Sequence, residues 1–158
     1  MNAPTIRIAT QDEARPIALM SRCLIEVGLR GWSWDPARVA RAIRQRDTCV
    51  AIAESNHQIV GFTIAEFGDT RVHVSLLAVT PAYQRAGIGR SLVQWLEQSA
   101  LTAGISEMQL ELRANNPGAK FFYQTLGFDL VRAVPGYYCG EETALRMRKQ
   151  ISICIANS

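Results

Sequence analysis

The run Leu76-Leu77-Ala78-Val79-Thr80-Pro81-Ala82-Tyr83-Gln84-Arg85-Ala86-Gly87-Ile88-Gly89-Arg90 decides how this chain is read. It carries a strand-like segment, Val72 to Val79, through a glycine-bearing loop into a strongly helical segment, Ser91 to Ala103. A loop of that kind presents bare backbone N–H groups. Glycines at 87 and 89 put no Cβ in the way, so a diphosphate can come close to the main chain and meet the unpaired amides and positive dipole end of the following helix. Arg85 and Arg90 add charge at the same place. The segment has neither the Lys-Ser/Thr ending of a P-loop nor the three-glycine spacing of a dinucleotide fingerprint, which sets both of those motifs aside.

Outside that run, composition bounds the answer. A chain of 158 residues with 48% hydrophobic content predicts one domain, residues 1–150, with a sizeable core, and a tail, residues 151–158, to which no role is assigned. No linker, internal repeat or low-complexity tract points to a second unit. The net charge of +3, from 17 basic and 14 acidic residues that are mostly interspersed, is too mild for a nucleic-acid partner. The N-terminus lacks the apolar core of a signal peptide and no window approaches a membrane span, so no membrane partner and a cytoplasmic location are expected. Cys23, Cys49, Cys139 and Cys154 lie far apart without metal-ligand spacing. They read as reduced thiols, with no metal site and no disulfide framework.

Periodicity predicts a mixed order of elements. Thr5 to Ala9 reads as a strand, and Asp12 to Val27 as a helix with Ile17, Met20, Leu24 and Val27 on one stripe. Asp35-Pro36 opens a second helix that runs to about Arg46, with Asp35 as N-cap and Pro36 at the first helical position. Its Arg38, Arg41 and Arg44 share one side, which reads first as a solvated face. Thr48 to Ala53, Gln58 to Phe67 and Val72 to Val79 are strands joined by short turns, the first of them Glu54 to His57, and predict an antiparallel meander. After the glycine loop come a strand Met108 to Arg113, a helix Asn116 to Leu126 ended by Gly127, a strand Phe128 to Val131 and a last strand Thr143 to Met147. The expected fold is mixed α+β, a mostly antiparallel sheet of six to seven strands with helices on both faces.

Gln84 to Gly89 resembles the Gln/Arg-x-x-Gly-x-Gly/Ala signature of the GNAT superfamily of N-acetyltransferases. Further on, Asn116, Ala119, Tyr123, Gly127 and Phe128 fill that family's Asn-x-x-Ala-x-x-x-Tyr helix and Gly-Phe pair in register. The resemblance covers about residues 72 to 148, and the N-terminal half agrees in element order. It implies acetyl-coenzyme A as cosubstrate, with the pyrophosphate on Gln84, Arg85, Ala86, Gly87, Ile88, Gly89 and Arg90. Main-chain groups of Leu77, Ala78 and Val79 would pair with the pantetheine arm as an added strand does. Asn116 and Ala119 stand at positions that meet that arm, although an Asn before a helix is also an ordinary N-cap.

The same resemblance makes Tyr123 the acid that protonates the departing thiolate; packing against Phe121, Phe122 or Phe128 is the plainer role for such a ring. An amine that arrives as ammonium also needs a base. The strand from Met108 to Arg113 alternates, so Gln109, Glu111 and Arg113 share a face. Glu111 is then either a base or half of an ion pair with Arg113. His73, with an ordinary pKa of about 6.5, is the other candidate base, and His57 reads as a solvated turn residue.

The block Leu110 to Asn116, Tyr123 to Phe128, Gly136-Tyr137-Tyr138 and Glu141 to Met147 looks like the RimI type, enzymes that acetylate the N-terminal alanine of a small-subunit ribosomal protein. That likeness favours Glu111 as base and sets Trp34 at the peptide-binding loop. Tyr137 and Tyr138, expected in a loop between the last two strands, would either line a peptide groove or form an aromatic cover for the sheet edge. Gly136, the short segment from Tyr138 to Glu142 and the doubled tryptophan Trp32 and Trp34 depart from the type, all on the acceptor side. The implied activity is direct acetyl transfer in a ternary complex to a protein N-terminal amine. A small-molecule amine (polyamine, amino acid or antibiotic) and a coenzyme A-binding module without turnover remain open, and oligomeric state has no signature in the sequence.

Overall fold

A computed structural model of the protein describes residues 3–151. Seven strands form one sheet: β1 (Thr5–Ile8), β2 (Thr48–Ser55), β3 (Gln58–Phe67), β4 (Val72–Val79), β5 (Glu107–Arg113), β6 (Asp129–Tyr138) and β7 (Glu142–Gln150). Their order is β1-β2-β3-β4-β5-β7-β6. Every pair is antiparallel except β4 with β5. Helices α1 (Ala14–Leu24) and α2 (Pro36–Arg44) cover one face; α3 (Ile88–Thr102) and α4 (Pro117–Thr125) cover the other. The expected mixed architecture is the observed one.

Each face has its own core. Ile17, Ala18 and Val39 pack on Ile52, Phe62 and Ile64, while Leu96, Ala100 and Phe128 pack on Val74, Met108 and Leu110. β5 alternates as its spacing predicts, with Met108, Leu110 and Leu112 buried and Gln109, Glu111 and Arg113 on the opposite face.

β4 breaks that rule in a useful way. Ile64 lies opposite Leu76 but Ala65 opposite Val74, so Ser75 is an extra residue on β4, a bulge. The bulge switches faces: Val72 and Val74 belong to the α3 core, Leu76 and Ala78 to the α1/α2 core. Pairing with β5 also ends there, at Val74 opposite Leu110. From Ser75 onward the two parallel strands part.

Several boundaries differ from expectation, each for a local reason. The first helix was expected from Asp12 to Val27; instead a 3-10 turn (Gln11–Glu13) precedes α1, which stops at Leu24. It stops because the chain turns to bring Glu26 back: its buried carboxylate accepts from Ser21 Oγ at 2.7 Å and from the Ser33 and Trp34 amides at 2.8 and 3.2 Å. The β2–β3 turn is tighter than Glu54 to His57, because Asn56 and His57 both take positive φ, 51° and 62°, as a two-residue hairpin requires. β6 runs on to Tyr138 rather than stopping at Val131, so Tyr137 and Tyr138 stand on a strand, not in a loop. An irregular register around Gly136, φ 68°, lets β6 continue past Pro135. Ile151, just past β7, is buried and donates its N–H to the Ser106 carbonyl at 2.7 Å; residues 152–158, with Cys154, lie outside the described residues.

Candidate active site

The parting of β4 and β5 opens a cleft of about 1560 Å³ between the faces. Its walls hold Leu77, Ala78, Val79, Gln84, Arg85, Gly87, Gly89, Arg90, Glu111, Asn116, Ala119, Tyr123, Trp34, Tyr137 and Tyr138. Nearly all the candidate residues thus converge. The side chains of Ala86 and Ile88 do not: Ile88 is buried in the core beneath the start of α3 and has only its amide to offer.

One end of the cleft is built for an anion. Gly87, φ 83°, is the N-cap residue of α3 and has no side-chain cap. The first helical bond runs from the Ser91 amide to the Gly87 carbonyl, so the amides of Ile88, Gly89 and Arg90 are left unpaired by the helix. A Cβ at Gly87 would meet nothing within 4 Å, and Arg85 holds a left-handed φ of 63° beside it. Gly89 carries a packing constraint as well. A Cβ there would lie 2.9 Å from Phe122 Cζ, so its bareness lets α4 pack against α3.

The β4 edge offers a line of main-chain groups. The Leu76 carbonyl accepts from Thr63 Oγ1 and the Thr80 amide donates to Val60, so these residues turn toward β3. Alternation then turns the main-chain groups of Leu77 and Val79 into the opening, where Gln84 Nε2 donates to the Val79 carbonyl at 3.0 Å. Asn116 is the N-cap of α4, its Oδ1 accepting from the Ala119 amide at 3.1 Å, which leaves its NH₂ group free of that bond. Together these features suit a long chain that ends in a diphosphate and carries amides along its length, as coenzyme A does.

Deeper in, Tyr123 is 8% exposed, edge-on to Phe122 and Phe128 at 5.0 and 5.4 Å. Among the described residues none hydrogen-bonds its hydroxyl, and burial pushes its pKa up. It therefore keeps its proton through neutral pH.

On the opposite face a polar row crosses four strands. Glu66 on β3 stands opposite His73 on β4, and Glu111 on β5 opposite Arg146 on β7. Glu111 does not pair with Arg113, which instead holds Glu142 through two 2.7 Å bonds. Its own partners are His73, whose Nε2 lies 2.7 Å from Oε2, and Arg146, whose Nη2 and Nε lie 3.2 and 3.3 Å from Oε1. Burial works against the Glu111 charge, but the His73 bond and the His73 and Arg146 charges outweigh it and hold the carboxyl below its ordinary value. The Glu111 bond conversely raises His73, against the desolvation of the ring.

Trp34 and the Tyr137–Tyr138 pair, whose rings meet edge-to-face at 4.9 Å, line the same cleft. The Arg38 guanidinium stacks 3.7 Å above the Trp34 ring. Arg113 Nη1 donates to the Ile25 carbonyl at 3.3 Å and also to that of Val27, fastening the turn after α1 to the sheet. Glu26, Ser75 and Arg146 are the residues to which sequence reading gave no role. Arg146 could have been found by pairing β7 with β5 in alternation, whereas a bulge at Ser75 leaves no compositional mark.

A sheet opened between two parallel strands, with a helix start of unpaired amides at its mouth and a protonated tyrosine lining the same cleft as a carboxylate–imidazole pair, is the frame of an acyl-coenzyme A-dependent transferase. The chain belongs to the acetyltransferase (GNAT) family, whose model matches residues 15–128. It is an acetyl-coenzyme A-dependent N-acetyltransferase. Over 101 residues it is 33% identical to the [ribosomal protein bS18]-alanine N-acetyltransferase of Escherichia coli strain K12, covering 62% of this chain and 68% of that protein. It is also 36% identical over 83 residues to NAA20, the catalytic subunit of the N-terminal acetyltransferase B complex of Arabidopsis thaliana, covering 51% of this chain and 47% of that one. The crystal structure of the Escherichia coli ribosomal-protein-S18-alanine N-acetyltransferase has the same fold, with a TM-score of 0.79 at 24% identity and 98% of both chains covered. No helix among the described residues is long and apolar enough to cross a membrane.

Proposed function

We propose that this N-acetyltransferase acts on a protein N-terminal α-amine, in the manner of the RimI type, within one domain of residues 1–150. The observation that carries the reading is the acceptor end of the cleft. It is a groove walled by Trp34, Tyr137 and Tyr138, in which two of the three carboxylates, Glu26 and Glu111, are engaged by protein partners and only Glu66, exposed on β3, stands apart from them. A polycationic small amine would ask instead for a narrow pocket of unengaged acids. The aromatic walls suit a peptide, giving contact area at low entropy cost. Such an acceptor and acetyl-coenzyme A meet in the cytoplasm, where the reading places the enzyme.

Acetyl-coenzyme A supplies an activated acyl group on a good leaving thiolate. Gly87, Arg85, Arg90 and the first amides of α3 bind its diphosphate; Leu77, Val79 and Asn116 align the arm beside them. Tyr123 gives its proton to the departing sulfur. Glu111 and His73, joined by one short bond, take the proton that the ammonium must lose before its nitrogen can attack.

The test is thiol release from acetyl-coenzyme A with a panel of short peptides of different free N-termini, polyamines and amino acids. Release with an alanine-initiated ribosomal-type peptide is the expected result. Release with small amines alone would move the enzyme to small-molecule acceptors, and bound coenzyme A without any release would point to a binding module.

A further inference from the structure

The Glu111–His73 bond does not say which partner receives the proton. Both Glu111 oxygens are occupied, Oε2 by His73 and Oε1 by Arg146, and the side chain is 6% exposed. Little of that carboxylate is left for a water or an amine. His73 is 29% exposed on its side chain and points its second nitrogen the other way: Nδ1 lies 3.4 Å from Ser75 Oγ. With Nε2–H donated to Glu111, the neutral imidazole keeps its lone pair on Nδ1. Ser75 is the bulge residue where β4 leaves β5, and it lines the cleft.

We infer that His73 Nδ1 is the proton acceptor of the reaction, reached through Ser75 Oγ or a water on it, and that Glu111 is a positioning residue that holds the imidazole in the required tautomer. The inference rests on the transferase reading but not on the peptide one, since whichever amine is acetylated must lose a proton. The acceptor's ammonium gives its first proton to Nδ1, and His73 returns it to water after turnover. The N–C bond then forms as the C–S bond breaks, and the second proton shed by nitrogen balances the one that Tyr123 delivers to sulfur. No other reactant is consumed.

The charged and titratable groups facing His73 are Glu66 on β3, Glu111 on β5 and Arg146 on β7, with the Tyr137 hydroxyl of β6 beside the same cluster. Glu111 and Glu66 raise the imidazole and Arg146 lowers it, and the sum is upward. Because the neutral ring is the active form, turnover rises with pH through a pKa above 6.5. Removing the Glu111 charge moves that limb toward lower pH.

The experiment measures kcat against pH for the native protein, His73→Gln, Glu111→Gln and Ser75→Ala, with two accepted amines of different pKa, beside an NMR titration of the two histidines. Coenzyme A binding and a thermal melt confirm that each variant is folded. The expected result is a loss of about 10²–10⁴-fold in kcat for His73→Gln. Glu111→Gln should lose less and shift both the kcat limb and the His73 titration downward together. Near-native turnover in His73→Gln, a limb that follows the amine's pKa, or a Glu111→Gln enzyme at least as impaired as His73→Gln would each overturn the assignment. No turnover by the native protein with any amine would sink the transferase reading itself, and the NMR titration would still report whether Glu111 governs His73.

Discussion

Among single residues, Tyr123 is placed so that both roles its sequence position left open can be tested on one atom. Its ring fills a core corner against Phe122 and Phe128, and its hydroxyl reaches the cleft. Tyr123→Phe keeps the ring and removes only the hydroxyl proposed as the acid. We expect kcat to fall by about 10²–10⁴-fold while the melting temperature moves by no more than a few degrees; a variant within twofold of native activity would leave packing as its whole function. Glu111 teaches the opposite lesson. Its place on the polar face of β5 was legible from alternation, but its partners were not, because His73 and Arg146 lie 38 and 35 residues away and meet it only across strand pairs. The ion pair with Arg113, plausible along one strand, loses to Glu142 because Arg113 can grip that carboxylate with two nitrogens at once.

At the scale of elements, the start of α3 separates two glycines that look alike in sequence. Gly87 needs its φ of 83° and leaves space in front of it. Gly87→Ala adds backbone strain of about 1–2 kcal/mol and a methyl group where the diphosphate approaches. Coenzyme A affinity measured by calorimetry should weaken several-fold, and unchanged affinity would remove Gly87 from the anion site. Gly89 is inside α3, where alanine would ordinarily gain up to about 1 kcal/mol. Its added Cβ would press on Phe122 from 2.9 Å, so Gly89→Ala should lower stability by about 1–3 kcal/mol in a denaturant melt; a stabilised variant would mean that Phe122 can turn aside. A motif records both glycines without saying that one has open space before it and the other a neighbouring helix.

Across the whole molecule, one bulge sets the site. The extra residue Ser75 reverses which face β4 buries, and it coincides with the last β4–β5 pair. The strands then separate around the cleft while α3 and α4 stay packed on one side and α1 and α2 on the other. Arg113 links three parts of this frame, β5, the start of β7 and the turn after α1. Arg113→Lys keeps the charge but loses the planar fork. It should raise the acceptor KM several-fold and leave coenzyme A affinity unchanged; parallel weakening of both would show that Arg113 supports the sheet as a whole rather than the acceptor wall.

By itself the sequence determined the kind of fold, the glycine-bearing start of α3, the N-caps Asp35 and Asn116 and the place of Tyr123 on the helix after β5, because each depends on residues close together in the chain: a period of two or 3.6, a glycine before a helix, an oxygen three residues ahead of an amide. Only the tertiary structure decided that Glu111 is held by His73 and Arg146, that Gly89 makes room for Phe122, that Glu26 shapes the turn before Trp34 and that Tyr137 and Tyr138 stand on a strand. Those contacts join segments distant in sequence, and their energies depend on strand register, on a single inserted residue in β4 and on which nitrogen meets which oxygen. None of these is carried by composition or spacing.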